Sequence, residues 1–64
     1  MPYVKIEMLD GRTAEQKAAL ARAIADAFVE HGGAKRESVW VVFDDVAKSN
    51  WAVGGELLEK PAAK

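Results

Sequence analysis

The chain has 64 residues, half of them hydrophobic, with nine Lys or Arg against ten Asp or Glu, one His and no Cys. A net charge of −1 offers no basic field to a nucleic-acid backbone, and without Cys or a second His there is neither a disulfide framework nor a zinc site. A chain this short buries only about 60% of its unfolded surface and is marginal by itself, so a single domain over residues 1–64 that stabilises itself by self-association is expected.

No apolar run approaches the roughly 20 residues of a bilayer span, and no secretory signal pattern is present. A cytoplasmic protein that engages neither membrane nor nucleic acid is expected.

Pro2 cannot donate to a strand ladder but is tolerated where a strand begins. If Met1 is removed, it becomes a secondary amine, and a terminal amine held against a sheet is a candidate base. From Tyr3 to Leu9 the residues alternate, with Val4, Ile6 and Met8 on one face and Tyr3, Lys5, Glu7 and Leu9 on the other. Asp10-Gly11 turns the chain, and Arg12 stands just beyond.

Thr13-Ala14-Glu15-Gln16 reads as a capping box opening a helix over Ala14 to His31, along which Leu20, Ile24, Ala27, Phe28 and His31 recur every three or four residues. Gly32-Gly33 ends it. A polar connection, Ala34 to Glu37, leads to a second strand over Ser38 to Asp45, with Val39, Val41 and Phe43 on one face and Trp40, Val42 and Asp44 on the other.

A helix of this length, about 28 Å at 1.5 Å per residue, matches an eight-residue strand of about 26 Å, which suits two parallel strands joined by a right-handed crossover. Downstream, Val46 to Ser49 reads as a loop or half-turn. Asn50 to Val53 reads as an extended arm with little to pair with in its own subunit, and the tail from Glu56 to Lys64 is expected to fray.

The fold class is therefore α/β (α+β), a βαβ subunit. Two strands make a poor sheet, so two copies are expected to pair into a four-stranded sheet with both helices on one face.

Several stretches, in this order, carry a resemblance: Pro2 behind Met1, Leu9-Asp10-Gly11-Arg12 closing the first strand, Glu15-Gln16-Lys17 opening the helix, Ser38-Val39 entering the second strand, Ala47-Lys48 after it, and Trp51-Ala52-Val53-Gly54-Gly55-Glu56-Leu57 near the end. With them the chain resembles the 4-oxalocrotonate tautomerase family of the tautomerase superfamily over nearly its whole length. The resemblance implies a homohexamer, a trimer of dimers with sites where subunits meet. It also implies an isomerase that needs no cofactor or metal and catalyses enol–keto tautomerisation of a small anionic enol or 2-oxo acid.

On the same basis Pro2 is the general base, Arg12 holds a substrate carboxylate, and Trp51 stands where the family carries an aromatic residue that keeps the site apolar. Trp40 departs from the pattern, because the family's best-known members have there an arginine that polarises the substrate carbonyl. Without it, the Trp40 indole N–H or backbone amides near Leu9 and Ser38 remain as oxyanion partners.

These residues suit a 1,3-proton shift. The group that removes and returns the proton must be part-protonated near neutrality, and a dry site beside Arg12 would lower the basicity of a proline amine toward that range. Arg12 presents a planar fork that matches a carboxylate, with Lys5 and Arg36 the next cations to consider.

Losing a charged donor commonly costs ~10²–10³ in rate, so weak turnover of dicarboxylate dienols is expected, with an arylenolpyruvate fitting better against the two tryptophans. Read singly, Arg12 is a solvated cation, His31 a helix-end cation, and Trp40 and Trp51 core or interface anchors. Two alternatives remain. One is a hydratase or dehalogenase, which requires Glu7 or Asp44 to face the site; the other is a non-catalytic self-assembling module, if Met1 is retained.

Overall fold

The computed structural model describes residues 2–60. In chain order it comprises β1 (Tyr3–Leu9), α1 (Ala14–Gly32), a 3₁₀ turn at Arg36–Ser38, β2 (Trp40–Val46), a second 3₁₀ turn at Lys48–Asn50, and the two-residue strands β3 (Ala52–Val53) and β4 (Glu56–Leu57). The fold is the expected βαβ unit, since β1 and β2 pair in parallel from Tyr3↔Trp40 to Leu9↔Val46.

The capping box forms as read: the Gln16 amide donates to Thr13 Oγ1 at 3.1 Å and the Thr13 amide to Gln16 Oε1 at 2.9 Å. At the other end Gly33 takes φ 67°, a left-handed conformation that costs glycine little, and its amide donates to the Phe28 carbonyl. The helix runs one residue past His31, to Gly32.

The second strand begins two residues later and ends one residue later than the sequence suggests. Ser38 and Val39 spend their amides on the carbonyls of Lys35 and Arg36, at 2.9 and 3.1 Å, and so cannot enter the ladder. Its far end is carried on through Val46, whose carbonyl accepts from the Asp10 amide at 3.0 Å.

The helix lies over the face that bears Val4, Ile6, Met8, Val41, Phe43 and Asp45, because Lys17 of α1 pairs with Asp45 across the interface. Against this face α1 turns Lys17, Ala21, Ile24, Ala25 and Phe28, all half-buried. The apolar stripe expected from spacing is thus rotated: of its members only Ile24 and Phe28 face the sheet, while Leu20, Ala27 and His31 are exposed. Alanine fits close to a sheet, so small residues rather than Leu20 occupy the line of contact.

The arm also differs from expectation, for it pairs with its own continuation. Ala52 and Val53 form an antiparallel hairpin with Leu57 and Glu56. Gly54 and Gly55, at φ 62° and 85°, supply the two positive-φ positions that a two-residue hairpin turn requires. The Leu58 amide donates to the Trp51 carbonyl at 2.9 Å and the Glu59 amide to the Lys48 carbonyl at 3.3 Å, so the start of the expected tail is tied down; residues 61–64 lie outside the described residues.

No described residue is buried. The radius of gyration is 15.9 Å, where a compact chain of this length has about 11 Å. The sheet face away from α1 lies open, with Tyr3, Trp40 and Val42 at 54, 56 and 39% exposure, and across it Lys5 meets Asp44 at 3.7 Å.

Candidate active site

The expected site residues fall into two groups at opposite ends of the β1–β2 ladder. At one end, Pro2 leads into β1 and its carbonyl accepts from the Trp40 amide at 2.8 Å. Ser38 closes the 3₁₀ turn two residues before Trp40. At the other end, Arg12 reaches back so that its Nη1 donates to the Leu9 carbonyl at 3.4 Å. The seven residues of β1 stand between the groups, a separation of about 23 Å at 3.3 Å per residue.

Arg12 is the expected cation that stays available. Lys5 is engaged by Asp44 and Arg36 pairs with Asp26, whereas among the described residues no carboxylate lies within ion-pair distance of the exposed Arg12 guanidinium, whose one contact is a long bond to a carbonyl. A charged fork with no partner of its own can take a carboxylate without first giving up an ion pair.

The two tryptophans do not share a wall within one chain. Trp40 opens β2 beside Pro2, while Trp51 lines a cleft of about 400 Å³ with Glu7, Val46, Asn50 and Ala52, at the far end of the ladder. Glu7 and Asp44 are partners in register on the open face, so the carboxylates named for water activation face away from α1 and lie nearer the Arg12 end than Pro2. Tyr3, not singled out by its sequence, is the register partner of Trp40. Only the strand alignment could have revealed it.

A family model described as tautomerase enzyme matches residues 2–60. The chain belongs to the tautomerase family. A probable tautomerase from Bacillus cereus is 47% identical over 58 residues, 91% of this chain and 95% of that protein. The 2-hydroxymuconate tautomerase of Bacillus subtilis is 41% identical over 58 residues, covering 91% and 94%.

Among solved structures, a heterohexamer 4-oxalocrotonate tautomerase from Chloroflexus aurantiacus superposes with a TM-score of 0.82 at 36% identity, over 91% of this chain and 94% of that one. This tautomerase-family chain is an isomerase with the family's βαβ architecture. Among its described residues no helix is long and apolar enough to cross a membrane.

Proposed function

We propose that the chain catalyses enol–keto tautomerisation of a 2-hydroxy-dienoate or arylenolpyruvate-type acid, with Pro2 as general base after loss of Met1 and Arg12 of a neighbouring copy as the carboxylate anchor. One observation carries this reading: a single chain holds Pro2 and Arg12 a strand length apart, yet leaves both ends open and buries none of its described residues. Two β1 strands running in opposite directions side by side would bring the Pro2 end of one to the Arg12 and Trp51 end of the other. A homohexamer built from such dimers supplies the missing core and repeats the site.

In that site the Pro2 nitrogen takes the proton of the enol hydroxyl as the carbonyl at C2 forms, and returns it to C3, where the C2=C3 electron pair ends. The pyrrolidine ring restricts the direction of the lone pair, which serves positioning. Arg12 holds the carboxylate by a charge-assisted pair of hydrogen bonds. Negative charge growing on the C2 oxygen falls to neutral donors, the Trp40 indole N–H or backbone amides near Leu9 and Ser38.

The test has two parts. Intact mass of the purified protein should lack Met1, since a retained methionine acylates Pro2 and leaves the assembling-module alternative. Pro2→Ala should assemble as the parent does and lose about 10²–10⁴ in kcat. Unchanged turnover by Pro2→Ala would remove the proline from the mechanism.

A further inference from the structure

We infer that the side of α1 carrying Leu20, Ala27 and His31 is the seat of α1 from a second copy, the two helices running antiparallel and each placing its Leu20 in a cleft of the other. This rests on the reading that Pro2 and Arg12 meet across paired copies, and it names the contact that aligns them.

At 3.6 residues per turn, the residues that α1 turns to the sheet leave Gln16, Leu20, Ala23, Ala27 and His31 along one flank, all exposed. None of the five is Lys, Arg, Asp or Glu, whereas the outer side carries Glu15, Asp26 and Glu30. A right-handed crossover sets this flank on the β1 side of the helix, away from β2, and so above the strand edge where the second copy pairs. Leu20, 39% exposed, stands on it. Two turns further along lies an open cleft of about 230 Å³ lined by Ala27, Phe28, His31 and Gly32.

Gly32 keeps that cleft open. It belongs to the helix and has no positive φ, so its backbone does not call for glycine, which weakens a helix. A Cβ at this position would meet Cδ1 of the Phe28 ring at 3.2 Å and press it into the space. Ala23 and Ala27 keep the rest of the flank low, which lets a second helix approach closely.

Leu20 and Ala27 are seven residues apart, about 10 Å along α1. For each Leu20 to meet the other copy's Ala27, the two-fold axis must pass beside Ala23 and Ile24, at the middle of a helix that runs Ala14–Gly32. Bringing the Pro2 end of one β1 to the Arg12 end of the other needs an axis near the middle of Tyr3–Leu9. These are one axis, because α1 lies back along the strands. Near its start Lys17 pairs with Asp45, which is level with Met8, and a helix of about 28 Å returns from there past the start of β1. The helix contact thus fixes which residues of the two β1 strands stand opposite, and Leu20 is a positioning residue for a site it does not touch.

The chain has no cysteine, so introduced ones report the contact. A disulfide needs Cα atoms within about 7 Å. Positions 20 and 27 of one helix are too far apart to close on each other, but they meet across an antiparallel pair. Mild oxidation should link a Leu20→Cys/Ala27→Cys protein into a covalent dimer on a non-reducing gel. It should leave Leu20→Cys alone and Ala27→Cys alone unlinked, because like positions stand about 10 Å apart along the axes. In parallel, turnover of 2-hydroxymuconate is followed against protein concentration. Leu20→Ser should raise the concentration for half-maximal specific activity at least about 10-fold, with kcat at high protein within about twofold of the parent. Gly32→Ala should shift it the same way although alanine favours helix, and Leu20→Met, of similar volume, should shift it less than Leu20→Ser does.

Covalent dimers from a single variant, or none from the double variant, overturn the proposal. So does a Leu20→Ser protein that assembles and turns over as the parent does at every dilution, which would leave the cleft to a small ligand or to solvent. Should the link between positions 20 and 27 form while Pro2→Ala keeps full turnover, the helix contact stands and the base assignment alone falls.

Discussion

A charge placed on the open sheet face should dissolve the assembly, and Val42→Glu tests this most sharply. Val42 is 39% exposed in the isolated chain and pairs in register with Lys5. In a monomer the new carboxylate would therefore stand directly across from a cation, a cross-strand arrangement that is neutral to mildly favourable, and the fold should change stability by less than about 0.5 kcal/mol.

If the face is covered by other copies, the outcome reverses. A 6.9 kDa compact monomer exposes about 4,000 Å², whereas this chain exposes 5057 Å², a surplus of roughly 1,000 Å² that exceeds the ~800 Å² each partner contributes to a standard interface. Driving a carboxylate into such a contact costs several kcal/mol per charge even after relaxation, and a two-fold interface carries the change twice. Sedimentation velocity and far-ultraviolet circular dichroism over a hundredfold dilution series should show a large parent particle whose Tm rises with concentration, and a Val42→Glu protein that is small or unfolded. A parent that sediments as a folded monomer, or a Val42→Glu chain that assembles like it, would refute the reasoning.

Other substitutions separate anchor, base and scaffold. Arg12→Ala should raise KM for carboxylate substrates about 10-fold or more with little change in kcat, because it removes binding common to ground and transition states; a kcat effect of that size with KM unmoved would place Arg12 at the reacting atoms instead. With no arginine at position 40, kcat/KM for 2-hydroxymuconate should fall below that for phenylenolpyruvate, and Trp40→Arg should raise the dicarboxylate value, a change that steady-state kinetics reads directly. Thr13→Ala breaks the capping box and should cost about 1 kcal/mol, seen as a Tm some 4–8 °C lower at fixed protein concentration. Gly55→Val puts a β-branched residue at φ 85°, which should disorder the hairpin and loosen amide-exchange protection at Leu58.

Much of the fold was legible in the residues because its signals are local. The alternation from Tyr3 to Leu9, the Thr13–Gln16 capping box and Gly33 each act within a few residues, and a helix as long as its strands leaves parallel pairing by crossover as the natural connection. The limits of the second strand were less legible, since the amides of Ser38 and Val39 could serve a 3₁₀ turn or a ladder equally well, and the turn took them. The hairpin around Gly54-Gly55 has two residues a side, too few to show a period, and so it read as an unpaired arm.

Periodicity tells which residues share a side of one element, so the sequence by itself determined the alternating strands, the capped helix and the βαβ order, along with the need for partners that its small size imposes. Which side of the helix meets the sheet came from the three-dimensional packing alone, since seven alanines carry no directional signal; Ile24 and Phe28 turn inward there and Lys17 pairs with Asp45. The tertiary structure alone decided that Tyr3, and not Trp51, stands beside Trp40, and that Pro2 and Arg12 lie at opposite ends of one strand. Both depend on how two segments about 37 residues apart slide against each other, and that register is set by long-range hydrogen bonds and packing rather than by any local preference.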